Sequence, residues 1–369
     1  MPRKILIDSR FYGLENKGIG RYTCELLSCL QHLDSTNEYY ILLRRKYFNK
    51  LNYKGNFNKI LADFRYYTLT EQFKLPFILN KLNPDIFHAL NTNVPLFYSG
   101  NLVVTVHDTM QLVFNKKSTT LPLAFYAIKS FAYRNIFRKS LERSKAIISP
   151  SNFVKADIID KFDVDPNKIF VIPEGVSSVF RKNRTRNRRT GNYFVYVGSS
   201  YPHKNLEVVV RALKKINLEG FGNVGLRLVL GRDVFANKHK NLVKETGIQK
   251  NVEFLADIND GELRKIYSSS LGFVFPSMFE GFGLPGLEAM AAGTLVACSD
   301  IPTFREVYGE NAIYFDPKNS ESVVGSMLKI LNISSAERAK RIKKSQEYVK
   351  QFNWCETAKK TLEIYNSIV

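Results

Sequence analysis

Short apolar runs alternate with segments of helical periodicity along almost the whole chain, and the alternation starts afresh after residue 192. The first set of runs covers residues 4–7, 39–43, 86–89, 102–106, 146–149 and 169–172, and the second covers 193–197, 226–230, 252–255, 271–275 and 295–298. Such runs are nearly all apolar, as strands buried on both faces of a parallel sheet must be. Helical patterns lie between them, at 21–33, 121–143, 152–162 (with Ser151 as N-cap) and 206–216. Strand–helix alternation predicts α/β domains with doubly wound sheets. At 369 residues the chain exceeds one typical core. The expected organisation is therefore two Rossmann-like domains, 1–175 and 193–351, joined by a basic linker at 176–192. The tail, 334–368, reads as helical, and its end, about 352–369, is expected to pack back on the first domain. Ligands of open parallel sheets bind beyond the carboxyl ends of the strands. Two such domains facing a central cleft would put the site between them.

Composition narrows the class. A hydrophobic share of 44% with 24% charged residues suits a soluble globular protein. No apolar run approaches the roughly 18 residues of a membrane span. The start, Met1 to Asp8, reads as a strand and not as a targeting segment. Cys24, Cys29, Cys298 and Cys355 show neither metal-ligand spacing nor a disulfide framework. They suit a reducing cytoplasm, packed as small apolar residues.

The net charge of +20 concentrates in the first half and in the run 181–189, which has six basic residues and no acid. A basic face attracts nucleic acid, an anionic membrane or phosphorylated substrates, and charge alone does not choose. Residues 116–145 hold eight basic side chains and one acid, Glu142, interleaved with Phe125, Tyr126, Phe131, Tyr133 and Phe137. An ordinary helix with a solvated basic face is the first reading. A helix lying on a membrane surface comes next, ahead of base stacking. The expected location is the cytoplasm, with the inner membrane face as a candidate peripheral site.

The segment Ser277 to Gly293 carries the chemistry. It follows the apolar run 271–275, turns through Gly281-Phe-Gly-Leu-Pro285 and opens a helix. Strand, glycine loop and helix start together offer backbone N–H groups to a phosphate. Glu280 and Glu288 flank that turn and can accept hydrogen bonds from sugar and ribose hydroxyls. Lys204 lies in the equivalent loop after the strand at 193–197, where an ammonium can neutralise a diphosphate. A phosphate site beside hydroxyl acceptors points to a sugar nucleotide.

Other residues carry weaker signals. Gly18-Ile-Gly20 ends the loop after the first strand and could admit a phosphate, or simply make a turn. His107 ends the run 102–106, where an imidazole can bond a sugar, move a proton or serve as a structural residue. Asp163-Val-Asp165 has Asp-x-Asp spacing, but it precedes Pro166 in a helix-to-strand connection and reads as a turn, not a metal site.

Together these motifs resemble the retaining glycosyltransferases of family 4, which have the GT-B fold of two Rossmann-like domains. The likeness spans nearly the whole chain. Its most specific piece is Glu280 to Gly293; Gly18 to Tyr22, Val106 to Asp108, Ser149 to Asn152, Val171 to Val176, Tyr196 to Asn205 and Ile301 to Glu306 also match. The resemblance implies that Lys204 holds the donor diphosphate, Glu280 the transferred sugar and Glu288 the ribose. It implies that amides of Phe282, Gly283 and Leu284 line the sugar and phosphate site, that Gly18 lets the first domain close over the diphosphate, and that His107 stands near the anomeric centre. Transfer with retention, without a metal or other cofactor, is the implied chemistry. The catalytic set is His107, Lys204 and Glu280.

Two departures stand out. Many members have an arginine before the lysine, where this chain has Ser199 to His203, so His203 and Arg232 are candidate substitutes. Many also have asparagine where Glu174 stands. The resulting reading is a hexosyltransferase using a nucleotide sugar, first GDP-mannose, on a glycan or lipid-linked oligosaccharide, with an anionic membrane surface as a candidate partner. The alternatives are a GT-B nucleotide-sugar epimerase and a basic nucleic-acid binder. No nucleic-acid motif supports the latter, so no nucleic-acid partner is expected.

Overall fold

A computed structural model describes residues 2–113, 122–181, 191–221, 223–231 and 234–368. The chain divides into two compact units, Met1–Gly175 with Trp354–Val369, and Val176–Asn353.

The first unit carries β1 (Lys4–Asp8), β2 (Glu38–Leu43), β3 (Phe57–Leu61), β4 (Ile86–Ala89), β5 (Leu102–Thr105), β6 (Ala146–Ser149) and β7 (Ile169–Val171). They form one all-parallel sheet in the order β3-β2-β1-β4-β5-β6-β7. Its helices are α1 (Lys17–Leu33), α2 (Arg45–Phe48), α3 (Leu69–Leu82), α4 (Met110–Val113), α5 (Leu123–Arg143) and α6 (Asn152–Phe162). Ser151 caps α6, its hydroxyl accepting from Val154 N–H at 3.3 Å. Central strands β4, β5 and β6 are buried throughout, which is why their sequences lack polar alternation.

The second unit repeats the design with β8 (Tyr193–Gly198), β9 (Gly225–Leu230), β10 (Val252–Leu255), β11 (Gly272–Phe275), β12 (Val296–Ser299) and β13 (Ala312–Phe315). The parallel order is β10-β9-β8-β11-β12-β13. Its helices are α7 (Ser178–Arg181), α8 (Leu206–Leu218), α9 (Ala236–Thr246), α10 (Asp260–Ser269), α11 (Leu284–Ala291), α12 (Pro302–Tyr308), α13 (Ser320–Asn332) and α14 (Ser335–Val349). The chain then returns to the first unit as α15 (Trp354–Ile368), which lies against α1. There Trp354 meets the Tyr22 ring at 5.7 Å and the sulfurs of Cys29 and Cys355 approach to 2.8 Å. Cys355 is exposed, so it is not the packed apolar residue its sequence suggested.

In each sheet the chain runs outward from the first strand, then returns to that strand's other side. Strand order therefore reverses between β1 and β4, and between β8 and β11. A crevice opens at such reversals, beyond the carboxyl ends of the strands.

Several expectations shift. Gly18 and Gly20 do not end a loop; they lie in the first turn of α1. Strands β3 and β13 and the long helices α3 and α13 went unread. Both strands are edge strands, where partial exposure dilutes the apolar pattern. The segment expected to be a linker begins with α7, whose Phe180 packs on Tyr267 at 6.2 Å inside the second unit. The rest of the basic run, 182–189, lies outside the described residues, as do 116–121 of the basic and aromatic segment.

Candidate active site

In the second unit the loops after β8 and β11 leave the sheet side by side, because these strands are paired. The first loop holds a helical turn, Pro202–Lys204, and exits through Asn205 in the left-handed region at φ 54°. A backbone bond ties the loops together: Met278 N–H donates to the His203 carbonyl at 2.8 Å. This brings Lys204 Nζ to 2.5 Å from Glu280 Oε1, with the two side chains 16% and 13% exposed. The ammonium also lies 6.0 Å from the Phe275 ring centre. Thr303 fixes the Glu280 backbone, its hydroxyl donating to that carbonyl at 2.7 Å. The result is a compact, half-buried ion pair at the strand-order reversal.

Beyond Glu280 the chain passes Phe282 and Gly283 and enters α11 at Leu284. Leu284 is the first residue of α11, so its N–H has no carbonyl partner within the helix; Pro285 has no N–H, and Gly286 N–H donates to the Gly283 carbonyl at 3.1 Å. Gly283 has φ 97°, and a β-carbon there would press on Phe304 and the Tyr308 hydroxyl of α12. Gly286 is equally constrained by Tyr308, whose hydroxyl donates to the Gly283 carbonyl. Close packing of α11 on α12 thus gives two glycines of this stretch a structural reason that the sequence did not reveal. Glu288, expected to accept from the ribose, lies within α11 and is 5% exposed.

In the first unit, Gly18 and Gly20 differ. A β-carbon on Gly20 would collide with the Gly13 carbonyl, whereas one on Gly18 would meet nothing within 4 Å. His107 follows β5 and is held from both sides. Its Nε2 donates to the Leu90 carbonyl at 3.1 Å, and its Nδ1 faces Glu174 Oε1 at 3.3 Å. The Tyr22 ring meets it edge-on at 4.8 Å. Glu174, unusual for the resembling family, is therefore the carboxylate partner of His107.

Sequence reasoning missed a buried charge cluster at the carboxyl end of β1. Arg10 donates through Nε to Asp8 Oδ1 at 2.8 Å and through Nη2 to Asp8 Oδ2 at 2.5 Å. It also pairs with Glu71 of α3, which accepts from the Asn93 side chain. Burial pushes the Glu71 carboxyl above its ordinary value despite the opposing Arg10. The legible signal was a single acid among the inward-facing apolar residues of α3.

The candidates for the missing arginine fare poorly. His203 is 3% exposed, its ring stacked on Tyr201 at 5.9 Å, and so is not a solvent-facing cation. Arg232 lies outside the described residues. Asp163 and Asp165 are turn residues: Asp163 closes α6 in the left-handed region, and Asp165 accepts from Asn167 N–H at 2.9 Å.

Known proteins share this architecture. The family described as glycosyl transferases group 1 matches residues 179–348, and glycosyltransferase family 4 matches residues 17–179. The O-antigen chain mannosyltransferase RfbU of Salmonella typhimurium is 32% identical over 263 residues, covering 70% of this chain and 71% of that protein. O-antigen chain mannosyltransferase B of Escherichia coli is 25% identical, covering 94% and 95%. Among solved structures, WaaG, a glycosyltransferase of lipopolysaccharide biosynthesis, superposes with a TM-score of 0.77 at 15% identity, covering 98% of this chain and 99% of that one. HepE from Anabaena, solved with UDP and glucose, gives 0.74 at 14% identity, covering 99% and 100%. These structures share the fold.

Two doubly wound parallel units of this kind make the GT-B fold. The chain belongs to glycosyltransferase family 4 and is a glycosyltransferase enzyme. The matches favour transfer over the epimerase and nucleic-acid alternatives.

Proposed function

We propose that this enzyme transfers a hexose, first mannose, from a nucleotide sugar to a hydroxyl of a glycan or lipid-linked acceptor, with retention and without a metal. The observation that carries the reading is the Lys204–Glu280 pair at the β8–β11 reversal. Lys204 and the amides at Phe282, Gly283 and Leu284 hold the donor diphosphate. Glu280 accepts from the hydroxyls of the transferred sugar, and Glu288 from the ribose. In the first unit, the resemblance assigns Gly18 to the diphosphate and His107, steadied by Glu174, to the neighbourhood of the anomeric centre. The mannosyl preference is supported by the names of the two O-antigen relatives, and GDP-mannose is the first donor to test.

In the transfer, the bond from the anomeric carbon to the diphosphate oxygen breaks and a bond to the acceptor oxygen forms. The acceptor's proton passes to the departing diphosphate, so the products are a glycoside and a nucleoside diphosphate. Fixed positive charge and aimed amides stabilise the developing diphosphate more than the bound donor, which lowers the barrier. Retention follows the family's chemistry.

Turnover with GDP-mannose and oligosaccharide acceptors, followed by the anomeric proton signals of the product, tests this directly. Release of nucleoside diphosphate, an α-linked product and unchanged rate in EDTA are expected. A β-linked product, or loss of activity in EDTA that a divalent cation restores, would refute the mechanism.

A further inference from the structure

Helix α3 is amphipathic in an unusual sense. Glu71, Leu75 and Leu79 point inward, while Leu69, Phe73 and Phe77 form a second stripe at the same spacing on the outer face. The 94–98 loop is stapled beside α3, with Gln72 Nε2 donating to the Val94 carbonyl at 3.2 Å and Leu96 N–H donating to Gln72 Oε1 at 2.9 Å. Arg143 of α5 reaches the Leu96 carbonyl from the other side, and Tyr67 ahead of α3 lies 6.3 Å from Tyr133 of α5. These elements therefore adjoin. Leu69, Phe73, Phe77, Phe97, Ile128 and Phe131 are each between 70% and 85% exposed.

We propose that this outer face of α3, the 94–98 loop and α5 docks the first unit onto an anionic phospholipid surface. Large aromatic groups are costly to leave in water, and a cluster of them marks a contact surface. Their setting selects the occupant. Lys74 and Lys81 flank the α3 stripe, and Lys129, Arg134, Arg138 and Lys139 are exposed on α5. The exposed acid of these helices, Glu142, is already paired with Arg138 at 2.6 Å. Interleaved cations and aromatics suit a headgroup layer: the rings enter the boundary and the lysines meet the lipid phosphates. A second copy of the chain fits badly, because a two-fold contact through this face would oppose like charges. Among the described residues no helix is long and apolar enough to cross a membrane, so the contact is interfacial.

The full chain is mixed with vesicles of phosphatidylcholine alone, or of phosphatidylcholine with phosphatidylglycerol, and floated on a density gradient. The wild type should float with the anionic vesicles and not with the neutral ones, and salt should weaken it. The double variant Phe73→Ser/Phe77→Ser should lose about tenfold or more in partition, since binding scales with the apolar area buried. Leu218→Ser, an exposed leucine of the second unit, should float like the wild type. Circular dichroism melting of each variant checks that the outward-facing changes leave the fold intact. A wild type that does not float, or a double variant that floats equally, overturns the proposal. So does a double variant that dissociates a dimer while floating unchanged, because the face is then a self-contact. Vesicle binding needs neither donor nor acceptor, so its failure leaves the transferase reading standing.

Discussion

Lys204 Nζ stands 2.5 Å from Glu280 Oε1, across the boundary between β8 and β11 where the strand order of the second sheet reverses. The two residues are far apart in sequence, and the pairing of their strands brings them together. Lysine and carboxylate satisfy one another, so an incoming diphosphate must compete with Glu280 for the ammonium.

That competition gives a paired prediction. Glu280→Gln should tighten nucleoside diphosphate binding by roughly fivefold, the effect of relieving an interaction of about 1 kcal/mol. The same variant should lose turnover by about a hundredfold or more, the usual cost of deleting a group that acts on the reacting sugar. Calorimetric titration and steady-state rates would read both. Weaker nucleotide binding in Glu280→Gln would mean that the carboxylate does not restrain the lysine.

The glycines of α1 separate packing from ligand access. Gly20→Ala should lower the melting temperature, because its β-carbon meets the rigid Gly13 carbonyl. Gly18→Ala should melt like the wild type, since the space around it is open. If Gly18 admits the diphosphate, the same variant should nevertheless lower kcat/KM. Unchanged kcat/KM would remove Gly18 from the site.

At Gly283 strain and crowding combine. Its φ of 97° disfavours any side chain, and Phe304 and Tyr308 fill the space a methyl would need. Gly283→Ala should destabilise the protein by about 1–3 kcal/mol. Chemical denaturation would measure this, and a variant as stable as the wild type would contradict the packing account.

His88 predicts a pH dependence in the first unit. It is buried in β4, its Nδ1 2.5 Å from the Tyr365 hydroxyl and its Nε2 2.8 Å from that of Thr105. Burial first, and the neighbouring His107 second, hold its pKa at about 3, against an ordinary 6.5. Below pH 6.5 the unfolded chain takes up a proton that the folded chain refuses, so folding stability falls as pH falls through the window from 6.5 toward 3. The slope from this group is about 1.4 kcal/mol per pH unit within that window. Denaturation midpoints at pH 5 and pH 7 should converge in His88→Gln relative to the wild type. Parallel losses in the two proteins would rule out His88 as the source.

Much of the fold was legible because central strands are buried on both faces and announce themselves as apolar runs. The edges were not, since β3 and β13 expose part of their surface. Helix α3 escaped notice because apolar residues occupy its outer as well as its inner face, and Pro76 sits inside it. In the candidate site, Lys204 and Glu280 were legible as residues at equivalent strand ends. Their direct pairing was not, because it depends on which strands are neighbours. The burial of Glu288 and His203 depends on how helices pack, which local sequence does not encode. The Arg10–Asp8–Glu71 cluster likewise joins residues from separate elements, and only Glu71, an acid in an apolar helix, hinted at it.

The most direct test of the central claim is the thermal stability of the wild type and of Lys204→Ala across a panel of nucleotide sugars. A ligand at a hundred times its Kd stabilises the folded state by about 2.7 kcal/mol. The account predicts that one donor, with GDP-mannose first, raises the wild-type melting temperature by several degrees and that Lys204→Ala loses the rise. No stabilisation by any nucleotide sugar, or an equal rise in Lys204→Ala, would contradict it.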